Sequence, residues 1–78
     1  MSIKLNLDRV MLERHVSLTE LADRIDITLA NLSILKTNKA RAIRFSTLEA
    51  LCRELDCQPG ELLEFVEGEK AVEGQDDV

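Results

Sequence analysis

The sequence predicts a small all-α domain of five short helices. Two observations support this: apolar residues recur every three or four positions, and helix-capping residues precede several of these segments. No segment has the alternation of apolar and polar residues that is typical of strands. A chain of 78 residues forms one domain with a modest core. We expect the folded domain to cover residues 1–65 and an acidic, flexible tail to cover residues 66–78.

The first two helices are predicted from apolar spacing and from a cap. Leu7, Val10 and Met11 are spaced as in a helix that ends near Arg14. The segment Ser17–Glu20 matches a capping box, in which the serine and glutamate side chains each bind the backbone N–H of the other residue. The second helix then carries an amphipathic apolar face: Leu18, Leu21, Ala22 and Ile25.

The third helix follows the second after a very short turn. Only Asp26 and Ile27 separate the second helix from Thr28, the expected N-cap of the third. So short a connection forces the two helices to cross at a steep angle.

The fourth and fifth helices are predicted in the same way. A second capping box, Ser46–Glu49, is expected to open the fourth helix. Its buried face has the same spacing as that of the second: Leu48, Leu51, Cys52 and Leu55. Pro59 fits the first position of the fifth helix, where its missing N–H costs little. We expect this helix to complete the core with Leu62, Leu63 and Phe65.

Charge is distributed unevenly along the chain. The net charge of -5 divides into -1 over residues 1–65 and -4 over residues 66–78. No acidic residue occurs from Ile27 to Phe45, and this stretch contains four cations: Lys36, Lys39, Arg41 and Arg44. Because distant charges are screened by salt, a phosphate at close range interacts mainly with the local basic residues. The overall acidity of the chain therefore does not exclude nucleic acid as a partner.

Several classes of function are excluded or disfavoured. No apolar run is long enough to span a membrane and no signal peptide is evident, so we expect a cytoplasmic protein without membrane contact. Cys52 and Cys57 with the single His15 cannot complete a tetrahedral zinc site, and we expect reduced, buried thiols. No residue pair offers a nucleophile and a base. We therefore predict neither an enzyme nor a cofactor or metal site.

The segments that carry a family resemblance lie within residues 5–65. The short connection between the second and third helices resembles the helix-turn-helix of phage repressor and Cro proteins. The later part is similar to small stand-alone Cro/C1-type bacterial regulators. The residues concerned are Leu21-Ala22, Ile27-Thr28, Asn31-Leu32-Ser33, Lys36 to Lys39, Ile43 to Leu48, Leu51-Cys52 and Leu55 to Leu63. The resemblance implies a five-helix lambda-repressor-like fold that binds double-stranded DNA and regulates transcription.

The resemblance also implies roles for individual residues. The recognition helix, about residues 28–36, would lie in the major groove. Asn31 is the best candidate for base reading, because a side-chain amide can pair with both N6 and N7 of adenine. The basic loop of residues 37–44 would contact phosphates. The predicted DNA-binding residues are Thr28, Leu29, Ala30, Asn31, Ser33, Ile34, Lys36, Lys39, Arg41 and Arg44.

Three sets of positions depart from the wider family. The position that opens the second helix, where many phage repressors carry a phosphate-binding glutamine, is Leu18. The outward positions of the third helix are apolar at Leu29, Ala30 and Ile34, where phage repressors use glutamine; such groups can contact thymine methyls. At three turns where the family commonly has glycine, this chain has His15, Asp26 and Asn38. All three residue types tolerate the left-handed backbone conformation better than most, so we expect the turns to be kept.

The sequence supports two hypotheses for the binding partner, of which DNA is the first. A single small domain contacts few base pairs, so we expect a homodimer on a palindromic site. Its surface is expected among four apolar residues: Leu55, Leu63, Phe65 and Val66. The alternative is a protein-interaction module on the same fold, such as an antitoxin or a domain with an anti-repressor partner. The apolar Leu29 and Ile34, together with the acidic tail, motivate that alternative.

Overall fold

The computed structural model describes residues 2–67, which form five helices and a two-stranded sheet. In chain order the elements are β1 (Ser2–Leu5), α1 (Leu7–Arg14), α2 (Leu18–Ile25), α3 (Leu29–Lys36), α4 (Phe45–Leu55), α5 (Pro59–Leu62) and β2 (Leu63–Val66). The five predicted helices are confirmed. Most of the predicted acidic tail, residues 68–78, lies outside the described residues, and its first residue, Val66, belongs to β2.

Two predicted N-caps are present as expected. The Ser17 hydroxyl oxygen accepts from the backbone N–H of Glu20 at 3.1 Å, and the Glu20 carboxylate accepts from the Ser17 N–H at 3.1 Å. This second hydrogen bond is the main reason why the pKa of Glu20 is lowered. At the start of α3, the Thr28 hydroxyl oxygen accepts from the Asn31 N–H at 3.1 Å. Both helices therefore begin where the local sequence supplies an acceptor.

Four helices end at a non-glycine residue in the left-handed conformation. The φ angles are 57° at His15, 57° at Asp26, 62° at Asn38 and 52° at Asp56. The three turns predicted at His15, Asp26 and Asn38 are confirmed, and Asp56 adds a fourth. In each turn the next residue's N–H donates back to a carbonyl five positions earlier: Val16 to Met11, Ile27 to Ala22, Lys39 to Ile34 and Cys57 to Cys52. These bonds satisfy helix-end carbonyls that would otherwise lack a partner.

The predicted capping box at Ser46 is wrong. Helix α4 begins at Phe45, and its N-cap is Arg44, which makes no side-chain capping hydrogen bond. The Leu48 N–H donates to the Arg44 carbonyl at 2.9 Å, which places Ser46 inside the first turn. The capping pattern is present in the sequence, but α4 begins one residue before Ser46.

The all-α prediction missed a small antiparallel sheet. Strands β1 and β2 pair from Leu5 opposite Leu63 to Ser2 opposite Val66. Each strand has only four residues, and the two strands are far apart in sequence. No local pattern therefore predicts their pairing. Directly opposed residues share a face of a sheet. One face therefore carries apolar residues throughout: Ile3, Leu5, Leu63 and Phe65.

The core is formed by all five helices and the inner end of the sheet. Its buried residues are Leu5, Leu7, Val10, Met11, Leu21, Ala22, Leu32, Leu35, Leu48, Leu51, Leu55, Cys57 and Leu62. One prediction needs correction. Phe65 was expected to complete the core, yet its side chain is 57% exposed because β2 carries it beyond the helices. Leu55 was placed both on the buried face of the fourth helix and among the candidates for a dimer surface; it is buried and therefore belongs to the core.

Candidate nucleic-acid interface

The turn between α2 and α3 fixes the direction of α3. Asp26 adopts the left-handed conformation, and the Ile27 N–H donates to the Ala22 carbonyl at 3.2 Å. Thr28 then caps α3 at once. Two helices joined in this way form the helix-turn-helix that the family resemblance implied.

Helix α3 has one buried side and one exposed side. Leu32 and Leu35 are buried and hold the helix against α2 and the core. The opposite side is exposed at Leu29, Ala30, Asn31 and Ile34. The positive end of the helix dipole lies at this exposed N-terminus, and no acidic residue in the first turn offsets it. A mixed amide and apolar surface suits hydrogen bonds to base edges and contacts with thymine methyls.

Two of the predicted polar site residues, Thr28 and Lys36, have side-chain partners within the chain, and a third, Ser33, is partly covered. The Thr28 hydroxyl oxygen already accepts the capping hydrogen bond, which leaves its O–H to donate outward. Ser33 is half-buried on α3. Lys36 is also half-buried, and its Nζ lies 3.4 Å from a carboxylate oxygen of Asp8 on α1. The charge of Lys36 is therefore partly offset by an acid that the local sequence did not reveal.

A cleft with a volume of about 600 Å³ brings together residues from both halves of the predicted interface. It runs between the α2–α3 turn, the exposed side of α3, the following loop and the start of α4. Asn31, Ile34 and Arg44 all line it, although Arg44 lies far from Asn31 in sequence. The fold thus places a base-reading candidate, an apolar group and a cation on one concave surface.

The basic loop forms a ridge between this cleft and a smaller one. The second cleft has a volume of about 120 Å³ and lies against the apolar face of the sheet, with Ile3, Leu5 and Leu63 among its lining residues. Ala40, Ala42 and Ile43 line both clefts.

The two loop arginines therefore lie on different sides of this ridge. Arg44 lines the larger cleft and Arg41 the smaller, while Lys39 is exposed at the start of the loop. The sequence predicted a single basic element, and the fold divides its cations between two sides.

The start of α4 adds two residues that the sequence analysis assigned to a helix cap. Ser46 and Thr47 both line the larger cleft, next to Arg44. The Arg44 side chain does not cap this first turn, so its leading backbone N–H groups have no side-chain cap, and Ser46 and Thr47 lie beside them. Such a helix start favours anions. In the sequence, Ser46 and Thr47 follow closely after Arg44 and could have indicated this site. We interpreted Ser46 as a helix cap instead.

The described residues hold little that would support other chemistry. Among residues 2–67, no cluster of three or more histidine, cysteine or acidic side chains could bind a metal ion. No helix within that range is long and apolar enough to cross a membrane. Cys52 and Cys57 are free thiols. Burial, with Cys52 nearby, raises the pKa of the Cys57 thiol to about 11, so it is a poor nucleophile.

Comparison with known proteins identifies the family. Residues 6–68 match the model of the Cro/C1-type helix-turn-helix DNA-binding domain. The chain belongs to this Cro/C1-type family. The Cro/C1-type resemblance predicted from residues 5–65 is thereby confirmed, with nearly the same boundaries. The family is a DNA-binding domain and not a class of enzymes.

Two similar proteins extend this Cro/C1-type assignment. The chain is 57% identical over 65 residues to YozG, an uncharacterized HTH-type transcriptional regulator of Bacillus subtilis strain 168. That alignment spans 83% of this chain and 77% of YozG. A crystal structure of a candidate DNA-binding protein from Bacteroides fragilis aligns with a TM-score of 0.75 at 17% identity. It covers 81% of this chain and 100% of the other, and at that identity it supports the fold alone.

Proposed function

We propose that this chain is a transcriptional regulator that binds specific double-stranded DNA sequences through α3 and the loop after it. The observation that carries the proposal is the shared cleft surface of Asn31, Ile34 and Arg44. One side of this surface can read base edges, and the other can bind the phosphates beside them. The match of the chain to YozG, described as an HTH-type transcriptional regulator, supports the regulatory role.

In this proposal α3 lies in the major groove with its N-terminal half toward the bases. Asn31 is exposed, and within residues 2–67 its side-chain amide forms no hydrogen bond, so the amide is available to a base. The apolar Leu29 and Ile34 flank it and would contact thymine methyls. Specificity would then come from one amide and several methyl contacts rather than from charged side chains.

Phosphate binding belongs to the loop and to the start of α4. Lys39, Arg41 and Arg44 supply positive charge, and the N–H groups beside Ser46 and Thr47 supply a helix N-terminus. Lys36 contributes less, because Asp8 already lies within ion-pair distance of it. The phosphate-binding surface therefore extends from the loop into α4 and is wider than the sequence predicted.

We propose that the active form is a homodimer. One recognition helix covers only a few base pairs, and dimers of this kind of domain bind two half-sites on one side of the duplex. The test is the selected operator itself, which should be palindromic with half-site centres about 10 base pairs apart. Sedimentation at binding concentrations should give twice the mass of the 8.8 kDa chain.

Selection of bound duplexes from a random pool tests the DNA-binding proposal most directly. The intact chain should enrich one sequence family. Asn31→Ala should weaken binding to that sequence by about 1–3 kcal/mol and relax preference at one base position. Arg44→Ala should weaken binding to all sequences alike, and the slope of log K against log salt should fall by about one.

Arg53→Ala is the matched control for Arg44→Ala. It removes the same charge from the opposite end of α4, where Arg53 lies beside Glu49 and Glu54. Binding should stay close to that of the unmodified chain. If neither genomic nor random duplex is retained at low salt by the folded protein, the regulator proposal fails.

One observation favours a protein-binding role on the same fold. Phe45, at the start of α4, is 87% exposed, and Leu29 and Ile34 on α3 are exposed as well. Aromatic and aliphatic side chains of this kind are common at protein interfaces. A Phe45→Ser variant separates the two functions: a DNA-binding surface should tolerate it, whereas a protein-binding surface should lose its partner.

A further inference from the structure

Asn38 turns the chain from α3 into the basic loop. It follows the last residues of α3 with a φ angle of 62°. Its backbone N–H donates to the Leu35 carbonyl at 3.2 Å, and the Lys39 N–H donates to the Ile34 carbonyl at 3.0 Å. These two bonds are the usual helix ending in which a left-handed residue follows the last turn. They explain the backbone of Asn38, but they do not involve its side chain.

The side chain of Asn38 makes two further hydrogen bonds to one residue of β1. The backbone N–H of Leu5 donates to Oδ1 of Asn38 at 2.7 Å, and Nδ2 of Asn38 donates to the carbonyl of Leu5 at 2.9 Å. Both bonds are partly buried and connect residues 33 positions apart. The amide therefore occupies the place that a neighbouring strand would take beside Leu5. Two bonds in one plane fix its orientation as well as its position.

The same contact does not recur at the other left-handed turns. Within residues 2–67, the side chains of His15, Asp26 and Asp56 form no hydrogen bond or ion pair. Tolerance of a positive φ thus accounts for those three residues and not for Asn38. What distinguishes Asn38 is its place, directly before Lys39 and the ridge that carries Arg41.

We propose that Asn38 is a positioning residue for the basic loop and that β1 is consequently part of the DNA-binding apparatus. The loop begins at Asn38, which is bonded to β1, and ends at Arg44, whose carbonyl accepts the first hydrogen bond of α4. With both ends fixed, the loop presents its cations in one arrangement before DNA arrives. A loop that is already ordered loses less conformational entropy when it binds DNA. This inference rests on the proposed DNA-binding function.

The test compares Asn38→Gly with His15→Gly. Glycine accepts the left-handed conformation in both places, so both variants keep the turn. Only Asn38→Gly removes the two bonds to Leu5. We expect about tenfold weaker binding to the selected duplex, the factor that ordering one or two loop side chains would supply. His15→Gly should bind like the unmodified chain. The salt slope should stay unchanged in both, because no charge is removed.

A second measurement separates positioning from simple loss of stability. In Asn38→Gly, the backbone order parameters of residues 39–43 should fall to about 0.6 or lower, the range of flexible backbone. Those of α3 should stay at about 0.85, the value of rigid backbone. Affinities are to be compared at a temperature where circular dichroism shows each variant folded. Should Asn38→Gly not fold, Asn38→His takes its place, because the chain itself accepts histidine in this conformation at residue 15.

The outcomes separate the two proposals. Binding by Asn38→Gly within about twofold of the unmodified chain overturns the positioning role and leaves the DNA-binding function intact. Weaker DNA binding with unchanged order parameters for residues 39–43 also overturns the positioning role, because the loss of affinity then has another cause. If the unmodified chain retains no duplex at low salt, the proposed function fails and the positioning role fails with it.

Discussion

At the scale of single residues, the side chains at the surface of α3 and its loop differ in how far the protein already uses them. Asn31 is exposed with its side-chain amide available, whereas Lys36 lies beside Asp8 and Thr28 caps its own helix. Residues with internal partners must exchange or share those partners to bind DNA. Asn31 and Arg44 therefore remain the strongest candidates for direct contacts, and Lys36 is the weakest of the cations.

The two cysteines provide a residue-scale prediction on pH and reactivity. Cys57 is buried with a pKa raised to about 11, whereas Cys52 is only half-buried. At pH 8, alkylation by iodoacetamide should be at least about tenfold faster at Cys52 than at Cys57, because the thiolate is the reactive form. Peptide mass spectrometry after timed quenching measures both rates. Equal rates in the folded protein would contradict the burial of Cys57.

The same thiol gives stability a dependence on alkaline pH. The folded state holds the Cys57 proton more tightly than the unfolded chain does, so this contribution to stability is complete below the unfolded thiol pKa. It is lost as pH rises from about 9, the ordinary thiol pKa, toward about 11. Urea unfolding of Cys57→Ala should lack this decline.

At the scale of elements, the two serines that look like caps are not equivalent. Ser17 forms the capping box of α2, and Ser46 lies inside the first turn of α4. Ser17→Ala should lower the free energy of unfolding by about 1 kcal/mol, the usual value of an N-cap. Ser46→Ala should change it by less than about 0.5 kcal/mol. Denaturant titration of both variants decides this, and equal losses would restore the capping box predicted for α4.

Acid should weaken α2 for a related reason. The pKa of Glu20 is lowered, chiefly by the hydrogen bond from the Ser17 backbone. A lowered pKa means that the stabilisation is present above the unfolded pKa and is lost as pH falls through the folded value. The difference in stability between the unmodified chain and Glu20→Gln should therefore be present at neutral pH and disappear in acid.

At the scale of the whole molecule, charge is divided between the interface and the C-terminal end. Removal of residues 68–78 takes away Lys70 and four acids, so the net charge changes from -5 to -2. Association with DNA should become several times faster at low salt, because less negative charge repels the phosphates. The difference should vanish near 1 M salt, where the Debye length is about 3 Å. Stopped-flow measurement over a salt series tests this.

A chain of unchanged length is the control for the truncation. Replacing Glu69, Glu73, Asp76 and Asp77 with their amides should reproduce the faster association. If the truncated chain associates faster and the amide variant does not, charge is the wrong explanation.

Local sequence patterns were sufficient to predict the helices, most of their ends and the family. Ser17, Thr28 and the left-handed turns at His15, Asp26 and Asn38 depend on hydrogen bonds that reach no more than five residues along the chain. Such interactions are encoded in short patterns, and so was the Cro/C1-type resemblance. The place of a basic stripe beside a recognition helix was predicted on the same local grounds.

The way in which distant segments meet depends on the folded core and follows from no local pattern. It paired β1 with β2, joined the Asn38 side chain to Leu5 and set Lys36 beside Asp8. It also brought Arg44 to the cleft beside Asn31. Each of these contacts joins segments that short-range periodicity and capping patterns do not connect. The physical reason is that they form only once burial of the shared core has brought the helices together.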